Sequence, residues 1–250
     1  MTSPHRAIWQ QQHVVDVRDA AFATRTYLEQ KDVRAFMTRV TGTRRLRVAC
    51  EVGAGYGRMT VVLSEFADRV IGLEREPHFV REAARLLPTI SFVHVESLTE
   101  LPVQTATIDF ILTFTVLQHL IDPVVQATAQ EIARILRPGG HLLICEETDP
   151  LLCDGAIDDP NGMCTIGRPV PVYQSFFASL ALLATQPRRI EPTYPRGDVG
   201  TYMLFRKPWS RSSAKEGGVV AHLVRGWRSA YHLTLIRSPV VKRKKDPNRK

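Results

Sequence analysis

The chain has 250 residues, a formal net charge of +8 and a hydrophobic fraction of 44%. This length and apolar content suffice for one ample domain with its own core, and because no run approaches 18 apolar residues we expect no membrane span. The charge is concentrated at the C-terminus. Residues 237–250 contain seven Lys/Arg and one Asp, a net of +6, which leaves +2 for the rest of the chain.

The N-terminus and the cysteines favour a cytoplasmic, reducing location. The segment MTSPHRAIWQQQHVV has no apolar stretch before its glutamines, so we expect no secretory signal. No cysteine pair has the C-x-x-C spacing, and Cys50 and Cys145 lie in apolar runs, where small buried side chains are expected rather than metal ligands or disulfide partners. The four cysteines are Cys50, Cys145, Cys153 and Cys164.

An N-terminal helical cap is predicted over residues 1–43. Residues 1–15 show no clear period, but a helical pattern runs from residue 16 to residue 40. Its apolar side chains take the spacing i, i+3, i+4, i+7 at Val33, Phe36, Met37 and Val40.

Apolar strands and helices then alternate along the chain, which predicts a doubly wound α/β fold in a domain over 44–207. We expect a mostly parallel, seven-stranded sheet with helices on both faces. The predicted strands are 46–52, 69–73, 90–95, 108–114 and 141–145, with two more near 189–195 and 201–205. The predicted helices are 58–66, 77–87, 122–136 and 172–184.

Local signals set the ends of the helix that starts at residue 122. Asp122-Pro123 is typical of an N-cap followed by a proline at the first helical position. The segment Arg137-Pro138-Gly139-Gly140 is expected to end this helix before the fifth strand begins at His141.

A glycine-rich loop, EVGAGYG, connects the first strand to the following helix. Glycines at 53, 55 and 57 permit a tight turn and let a ligand approach the backbone, and the helix N-terminus favours a negative group. The dinucleotide fingerprint G-x-G-x-x-G would need glycine at position 58, where this chain has Arg58, and this is evidence against NAD.

An acid, Glu74, ends the second strand, 21 residues after Gly53. In a doubly wound fold this position faces the ribose of a nucleoside, where a carboxylate can accept hydrogen bonds from both hydroxyls. The alternative is an exposed loop acid beside Arg75. The spacing from the glycine loop favours the ribose role.

Five segments in this order resemble class I S-adenosylmethionine-dependent methyltransferases over residues 44–147. They are EVGAGYG, VIGLE with its ribose acid, HVESLTELP at the exit of the third strand, ILTFTVLQHL, and ILRPGGHLLI before the fifth strand. The resemblance implies S-adenosylmethionine as cofactor and the strand order 3-2-1-4-5-7-6. It also implies that the loop meets the methionine portion, Glu74 the ribose, and Glu96 and Ser97 the adenine. The cofactor-binding candidates are Glu51, Gly53, Ala54, Gly55, Tyr56, Gly57, Glu74, Arg75, Glu96, Ser97, Leu98, Thr113, Phe114 and Thr115.

In this family a nucleophile on the acceptor displaces in line the methyl group carried by a sulfonium. The protein therefore aligns the reactants, excludes water and sometimes removes a proton. His119 follows the fourth strand and is the candidate general base, since imidazole titrates near neutrality. In many relatives a histidine here only braces the turn over the cofactor, and both roles stay open.

We predict no metal site. Four aspartates follow the fifth strand, as in loops of some catechol-type O-methyltransferases that hold a divalent ion, but their spacing is also that of an ordinary solvated loop. They are Asp149, Asp154, Asp158 and Asp159.

The acceptor is expected to be a small molecule methylated on oxygen or nitrogen. The fourth strand ends in TFTV rather than the (D/N/S)-P-P-(Y/F/W) motif that relatives use on the exocyclic amine of adenine or on glutamine, and there is no Pro-Cys pair for attack on cytosine C5, so these acceptors are disfavoured. We expect the cap and residues 148–187 to shape the acceptor pocket. The segments GAGYGRMT and FTVLQHL also resemble protein N-terminal α-amine methyltransferases. A non-catalytic nucleoside-binding partner protein is the alternative from another class.

The C-terminal extension, 208–250, is predicted to contain a linker, an amphipathic helix and a basic tail. The segment RSSAKEGG is typical of a linker, and apolar residues with helical spacing follow it up to residue 235. A basic helix with a lysine cluster can pack on its own domain or a dimer mate, dock a partner, contact RNA phosphates or lie on an anionic membrane. An RNA methyltransferase guided by this arm is therefore the competing enzyme hypothesis, and the sequence leaves the oligomeric state open.

Overall fold

The computed structural model describes residues 23–151, 153–154, 165–189 and 198–209. The chain divides after Pro208 into two units, and the second lies outside the described residues apart from Trp209. The predicted linker, amphipathic helix and basic tail belong to that second unit and stay predictions. None of the helices in the described ranges is long and apolar enough to cross a membrane.

Helix α1 spans Ala23–Thr41 and accounts for most of the predicted N-terminal helix. Its apolar stripe is buried, and the helix ends at Gly42, which has φ +59° and donates its N–H to Thr38 O at 2.9 Å. Residues 1–22, including the first part of the predicted helix, lie outside the described residues.

The elements after α1 alternate as the sequence predicts. The strands of the first half are β1 Leu46–Val52, β2 Ala67–Glu74, β3 Ser91–His94 and β4 Ile108–Phe114. The helices between and after them are α2 Thr60–Ser64, α3 Pro77–Leu86, a 3₁₀ turn Leu117–His119 and α4 Asp122–Ile135. The second half contains β5 Leu136–Glu146, β6 Cys153–Asp154, β7 Thr165–Ile166, α5 Val170–Phe176, β8 Ala181–Arg189 and β9 Asp198–Arg206.

Seven strands form one sheet in the order β3-β2-β1-β4-β5-β9-β8. The first five pair in parallel, and β9 runs antiparallel to both β5 and β8. This confirms the predicted order 3-2-1-4-5-7-6, since the two-residue strands β6 and β7 pair separately. The carboxyl ends of β1, β2, β4 and β5 therefore meet along one edge, where open α/β sheets bind ligands.

The sheet is covered on both faces, which explains its continuous apolar strands. All seven residues of β4 are buried. On one face the core contains apolar side chains from α1 and α2, and on the other those from α4 and α5. Cys50 and Cys145 are buried thiols in these layers, as predicted, and burial raises the pKa of each.

The predicted boundary between the fourth helix and the fifth strand is wrong. The strand begins at Leu136 and includes the Arg-Pro-Gly-Gly segment, because Gly139 N–H donates to Lys207 O and Lys207 N–H donates to Gly140 O, each at 2.9 Å. Pairing with the chain after β9 thus outweighs the local turn signal. The N-cap assignment is also wrong, since Ile121 is the N-cap and Asp122 is already helical.

The helix predicted over 172–184 is also too long. It covers only Val170–Phe176, and residues from Ala181 onward form β8. Exposure alternates along β8, as expected for an edge strand, and its pairing with β9 overrides the helical propensity of the Leu- and Ala-rich segment. The predicted strand near 189–195 is displaced accordingly, and residues 190–197 lie outside the described residues.

Candidate functional site

The glycine-rich loop turns sharply at the carboxyl end of β1. The N–H groups of Gly53 and Ala54 both donate to Leu73 O, at 2.8 and 3.0 Å, which fixes the loop to the end of β2. Gly53, Gly55 and Gly57 have φ values of +77°, +53° and +80°, a region that favours glycine.

The three glycines face different surroundings. A Cβ at Gly53 would overlap the side chain of Val116, and one at Gly57 would lie 2.7 Å from Leu87 Cδ1, so both positions need glycine for packing. At Gly55, no heavy atom of the described residues lies within 4 Å of a built Cβ. The loop is therefore packed at its ends and leaves open space at its centre, where a ligand can contact the backbone.

Glu74 links the end of β2 to this loop. Its Oε2 accepts from the N–H of Gly55 at 2.8 Å, and its Oε1 accepts from the N–H groups of Arg75 and Glu76 at 2.7 and 2.9 Å. The residue is 8% exposed, which excludes the alternative of an exposed loop acid. Burial raises the pKa of Glu74, and the three N–H donors oppose that rise.

Glu51 is a second buried acid at the loop. Its carboxylate accepts a hydrogen bond from the Thr60 hydroxyl at the start of α2. Burial raises the pKa of Glu51 to about 8. The negative charge of Glu74 adds a smaller increase, whereas the hydrogen bond from Thr60 and the positive charge of Arg58 lower the pKa. At neutral pH this side chain therefore holds a proton that a nearby cation would displace.

The exit of β3 contains the candidates for the adenine contact. The side chain of Glu96 is 85% exposed and lies 3.8 Å from His94 Nδ1. The Ser97 hydroxyl is within 2.7 Å of Thr99 Oγ1 and accepts from Thr99 N–H at 3.1 Å. Leu98 is buried in the core. A polar, accessible segment thus follows β3 at the same edge as Glu74.

The segment after β4 starts with a strained residue. Thr115 has φ +55°, which is uncommon for a side chain branched at Cβ, and its N–H donates to Cys145 O at 2.8 Å. The chain then forms the 3₁₀ turn Leu117–His119. Sparsely populated backbone geometry of this kind concentrates at functional sites.

His119 ends this 3₁₀ turn. Gln118 Oε1 accepts from Glu147 N–H at 2.8 Å, which orients the amide so that its Nε2 donates to His119 Nε2 at 3.3 Å. In the neutral ring this leaves Nε2 as the acceptor and Nδ1 as the protonated nitrogen. The histidine therefore presents a defined tautomer at the predicted position.

A buried ionic cluster lies beside Phe114, at the end of β4. The guanidinium carbons of Arg58 and Arg188 lie 5.0 and 5.7 Å from the centre of its ring. Glu29 of α1 is fully buried, pairs with Arg58, and lies 3.6 Å from Arg188. This cluster connects the N-terminal helix to the site.

Glu29 was not predicted as a site residue, although its position in the sequence contained a signal. Glu29 lies four residues before Val33 and therefore on the buried stripe of α1. A lone acid on an apolar helix stripe predicts a buried partner. Arg188 had no such signal, because it fell between the helix predicted to end at residue 184 and the strand predicted to begin near residue 189.

The aspartates after β5 show no metal centre in the described residues. No group of three or more His, Cys, Asp or Glu side chains there is placed to hold an ion. Asp149 Oδ1 accepts from Leu151 N–H at 2.9 Å. Asp158 and Asp159 lie outside the described ranges, as does the side chain of Asp154.

Comparisons with known proteins agree with this fold and loop. A family model described as a methyltransferase domain matches residues 50–144. A Mycolicibacterium smegmatis protein named "Probable S-adenosylmethionine-dependent methyltransferase/" is 35% identical over 99 residues, which are 39% of this chain and 37% of that protein. An "Uncharacterized 37.1 kDa protein in transposon TN4556" from Streptomyces fradiae is 36% identical over 116 residues, 45% of this chain and 33% of that protein.

The chain thus spans about a third of the length of these two curated relatives. A solved structure of a SAM-dependent methyltransferase from Leishmania major superposes with a TM-score of 0.67 and 18% identity, covering 82% of each chain. At that identity the superposition shows a shared fold. Residues 50–144 thus match a methyltransferase domain, and this match and the shared fold imply S-adenosylmethionine as cofactor.

Proposed function

We propose that this protein transfers a methyl group from S-adenosylmethionine to an oxygen or nitrogen of a small-molecule acceptor. The observation that carries the proposal is the arrangement at the carboxyl ends of β1 and β2. There the centre of the glycine loop is open at Gly55, and the buried carboxylate of Glu74 receives the N–H of that same glycine. An open backbone beside a buried acid suits a ligand that combines an amino-acid portion with a ribose.

Three subsites follow from this arrangement. The loop 53–57 and Glu51 would hold the methionine portion, Glu74 the ribose, and Glu96 with Ser97 the adenine. Glu74 Oε2 accepts from Gly55 N–H, and a carboxylate oxygen has two lone pairs, which supports its capacity to accept from a ribose hydroxyl as well. When bound, S-adenosylmethionine supplies a methyl group already activated on a positively charged sulfur.

Glu51 would respond to the charge of the ligand. In the free protein its burial favours the neutral acid. The ammonium group of the methionine portion would favour the carboxylate, so we expect cofactor binding to release a proton from this residue near neutral pH.

The chemical step would depend mainly on alignment and on exclusion of water. Phe114 and the side chains around it would form the wall beside the acceptor. We propose that His119 takes a proton from the acceptor where one must be removed, with its Nε2 lone pair exchanging the 3.3 Å bond from Gln118 for the proton of the acceptor. If His119 only braces the turn, His119→Gln retains most of the activity, whereas a base role predicts a loss of about 10²-fold or more.

Transfer of a labelled methyl group into extract of the source organism tests the acceptor class. The extract is separated into small molecules, RNA and protein before counting. Label in the small-molecule fraction supports the proposal, and label confined to RNA or protein contradicts it. At a cofactor concentration near the wild-type Kd, Gly55→Ala should reduce labelling, and Gly42→Ala, remote from the site, should not.

The basic tail favours RNA as the second candidate acceptor. Its seven Lys/Arg would make RNA binding fall steeply with salt. Deletion of 237–250 should then remove RNA binding and labelling of RNA while leaving cofactor affinity unchanged. Cofactor binding without label in any fraction would instead indicate a non-catalytic nucleoside-binding protein.

A further inference from the structure

We propose that Glu146 and Arg168 are positioning residues that hold the turn 116–120 from its two ends, and with it His119. The inference rests on the proposed function, because this turn forms the wall between the glycine loop and the acceptor side. Neither side chain is needed to contact the cofactor. Their role is to keep the backbone of the turn in place.

Glu146, at the end of β5, receives the N–H groups at the start of the turn. Its Oε1 accepts from Val116 N–H at 3.3 Å and from the Thr113 hydroxyl at 3.1 Å, and its Oε2 accepts from Gln118 N–H at 3.1 Å. The first N–H groups of a helical turn have no acceptor within it. The fully buried carboxylate therefore takes the place of an N-cap.

Arg168, which precedes α5, donates hydrogen bonds to two carbonyl groups of the turn. Its Nη1 donates to Leu117 O at 3.2 Å and its Nη2 to Leu120 O at 2.5 Å, while its Nε donates to Asp122 Oδ1 at 2.8 Å. The residue is 3% exposed. A planar guanidinium can make these bonds together, which a lysine cannot.

The two contacts have one consequence for the site. Val116 lies against Gly53, where a Cβ would overlap it. The position of the turn therefore sets both the wall of the glycine loop and the location of His119. Since Thr115 is strained, the local sequence alone does not hold this geometry, and the buried charges must do so.

The protonation state of Glu146 affects the same contacts. Burial raises the pKa of Glu146 to about 7, against the opposing effect of its N–H and hydroxyl donors. The N–H donors of the turn lower the pKa of Glu146, and a turn that opens while Glu146 stays buried loses them. Ionisation of Glu146 and closure of the turn therefore favour each other, and the turn should become better ordered as pH rises through neutrality. The charged and titratable groups that act on Glu146 are Cys145, Tyr173 and Arg188, and Glu147 is its neighbour in the chain. Arg168 and His119 contact other residues of the same turn.

Glu146→Gln tests the proposal, with Glu131→Gln as the matched control. Glu131 also accepts a backbone N–H, from Leu101 at 2.8 Å, but its charged partner is Arg134 of its own helix and not a group of the turn 116–120. The readouts are amide hydrogen exchange in 116–120, cofactor Kd and kcat. We expect E146Q to speed that exchange at least tenfold and to lower kcat about 10- to 100-fold, with Kd changed less than threefold.

The pH dependence separates a positioning role from general destabilisation. After correction for intrinsic exchange, protection of 116–120 should increase from pH 6 to pH 8 in the wild type and stay flat in E146Q. Unchanged protection and kcat in E146Q, or equal losses in E131Q, would overturn the proposal. If E146Q does not fold, Arg168→Lys provides the same exchange measurement. Absence of methyl transfer by the wild type would contradict the proposed function, whereas the exchange result still tests the positioning role.

Discussion

Substitution of Gly55 by alanine separates ligand binding from folding at the glycine loop. Gly55 has φ +53°, and a built Cβ meets no heavy atom of the described residues within 4 Å. Gly42, at the end of α1, has φ +59° and the same open surroundings. The two substitutions therefore impose the same backbone cost, but only the first places a methyl group in the proposed cofactor site.

The expected magnitudes differ between the two variants. An alanine in the left-handed region costs about 1–2 kcal/mol, so both variants should lose about that much unfolding free energy. A methyl group that intrudes on a close-packed contact costs about 1–3 kcal/mol more, which for Gly55→Ala is a loss of roughly 5- to 150-fold in affinity for S-adenosylhomocysteine. Gly42→Ala should bind with the affinity of the wild type.

Isothermal titration with S-adenosylhomocysteine and urea unfolding measure the two effects independently. The expected pattern is similar stability for the two variants and weakened binding for Gly55→Ala alone. Equal affinity in both variants would refute the claim that the open centre of the loop faces the cofactor.

Three further substitutions test the buried acids. Between about pH 4.5 and about pH 8, Glu51 holds a proton in the folded wild type but not in the unfolded chain. The unfolding free energy of the wild type should therefore fall by at most about 5 kcal/mol as pH rises through that window, and Glu51→Gln removes this effect. Urea unfolding at pH 5 and pH 8 should show a smaller fall in the variant, and equal slopes would contradict the raised pKa. Glu74→Ala should weaken cofactor binding by roughly 1.5–3 kcal/mol in calorimetry, and unchanged affinity would remove the ribose assignment. Glu29→Gln removes the carboxylate between Arg58 and Arg188 and should cost about 3–5 kcal/mol of unfolding free energy, whereas a change below 1 kcal/mol would show that the cluster is dispensable.

The strands that were predicted with correct limits are two adjacent inner strands of the sheet. Leu46–Val52 and Ile108–Phe114 are mostly apolar segments bounded by polar residues or glycine, so local composition determines where they begin and end. Strand β8 was missed because its limits depend on pairing with β9, which follows it in the chain. Periodicity within one segment does not contain that information.

Some residues of the candidate site could likewise be predicted from the sequence, and others could not. The glycine loop and Glu74 could be predicted because their spacing along the chain reflects a local strand-loop-helix geometry. Arg168 could not, because its acceptors Leu117 O and Leu120 O are backbone atoms about 50 residues earlier, and backbone acceptors leave no residue pattern. The assignment of Asp122 as an N-cap failed for a related reason, since its carboxylate accepts from Arg168.

Calorimetric titration of the whole chain with S-adenosylmethionine, S-adenosylhomocysteine and NAD tests the central claim most directly. The loop at 53–57, with Arg58 where a dinucleotide fingerprint has glycine, and the buried Glu74 predict saturable binding of the first two ligands and none of NAD. Binding of NAD without binding of S-adenosylmethionine or S-adenosylhomocysteine would contradict it.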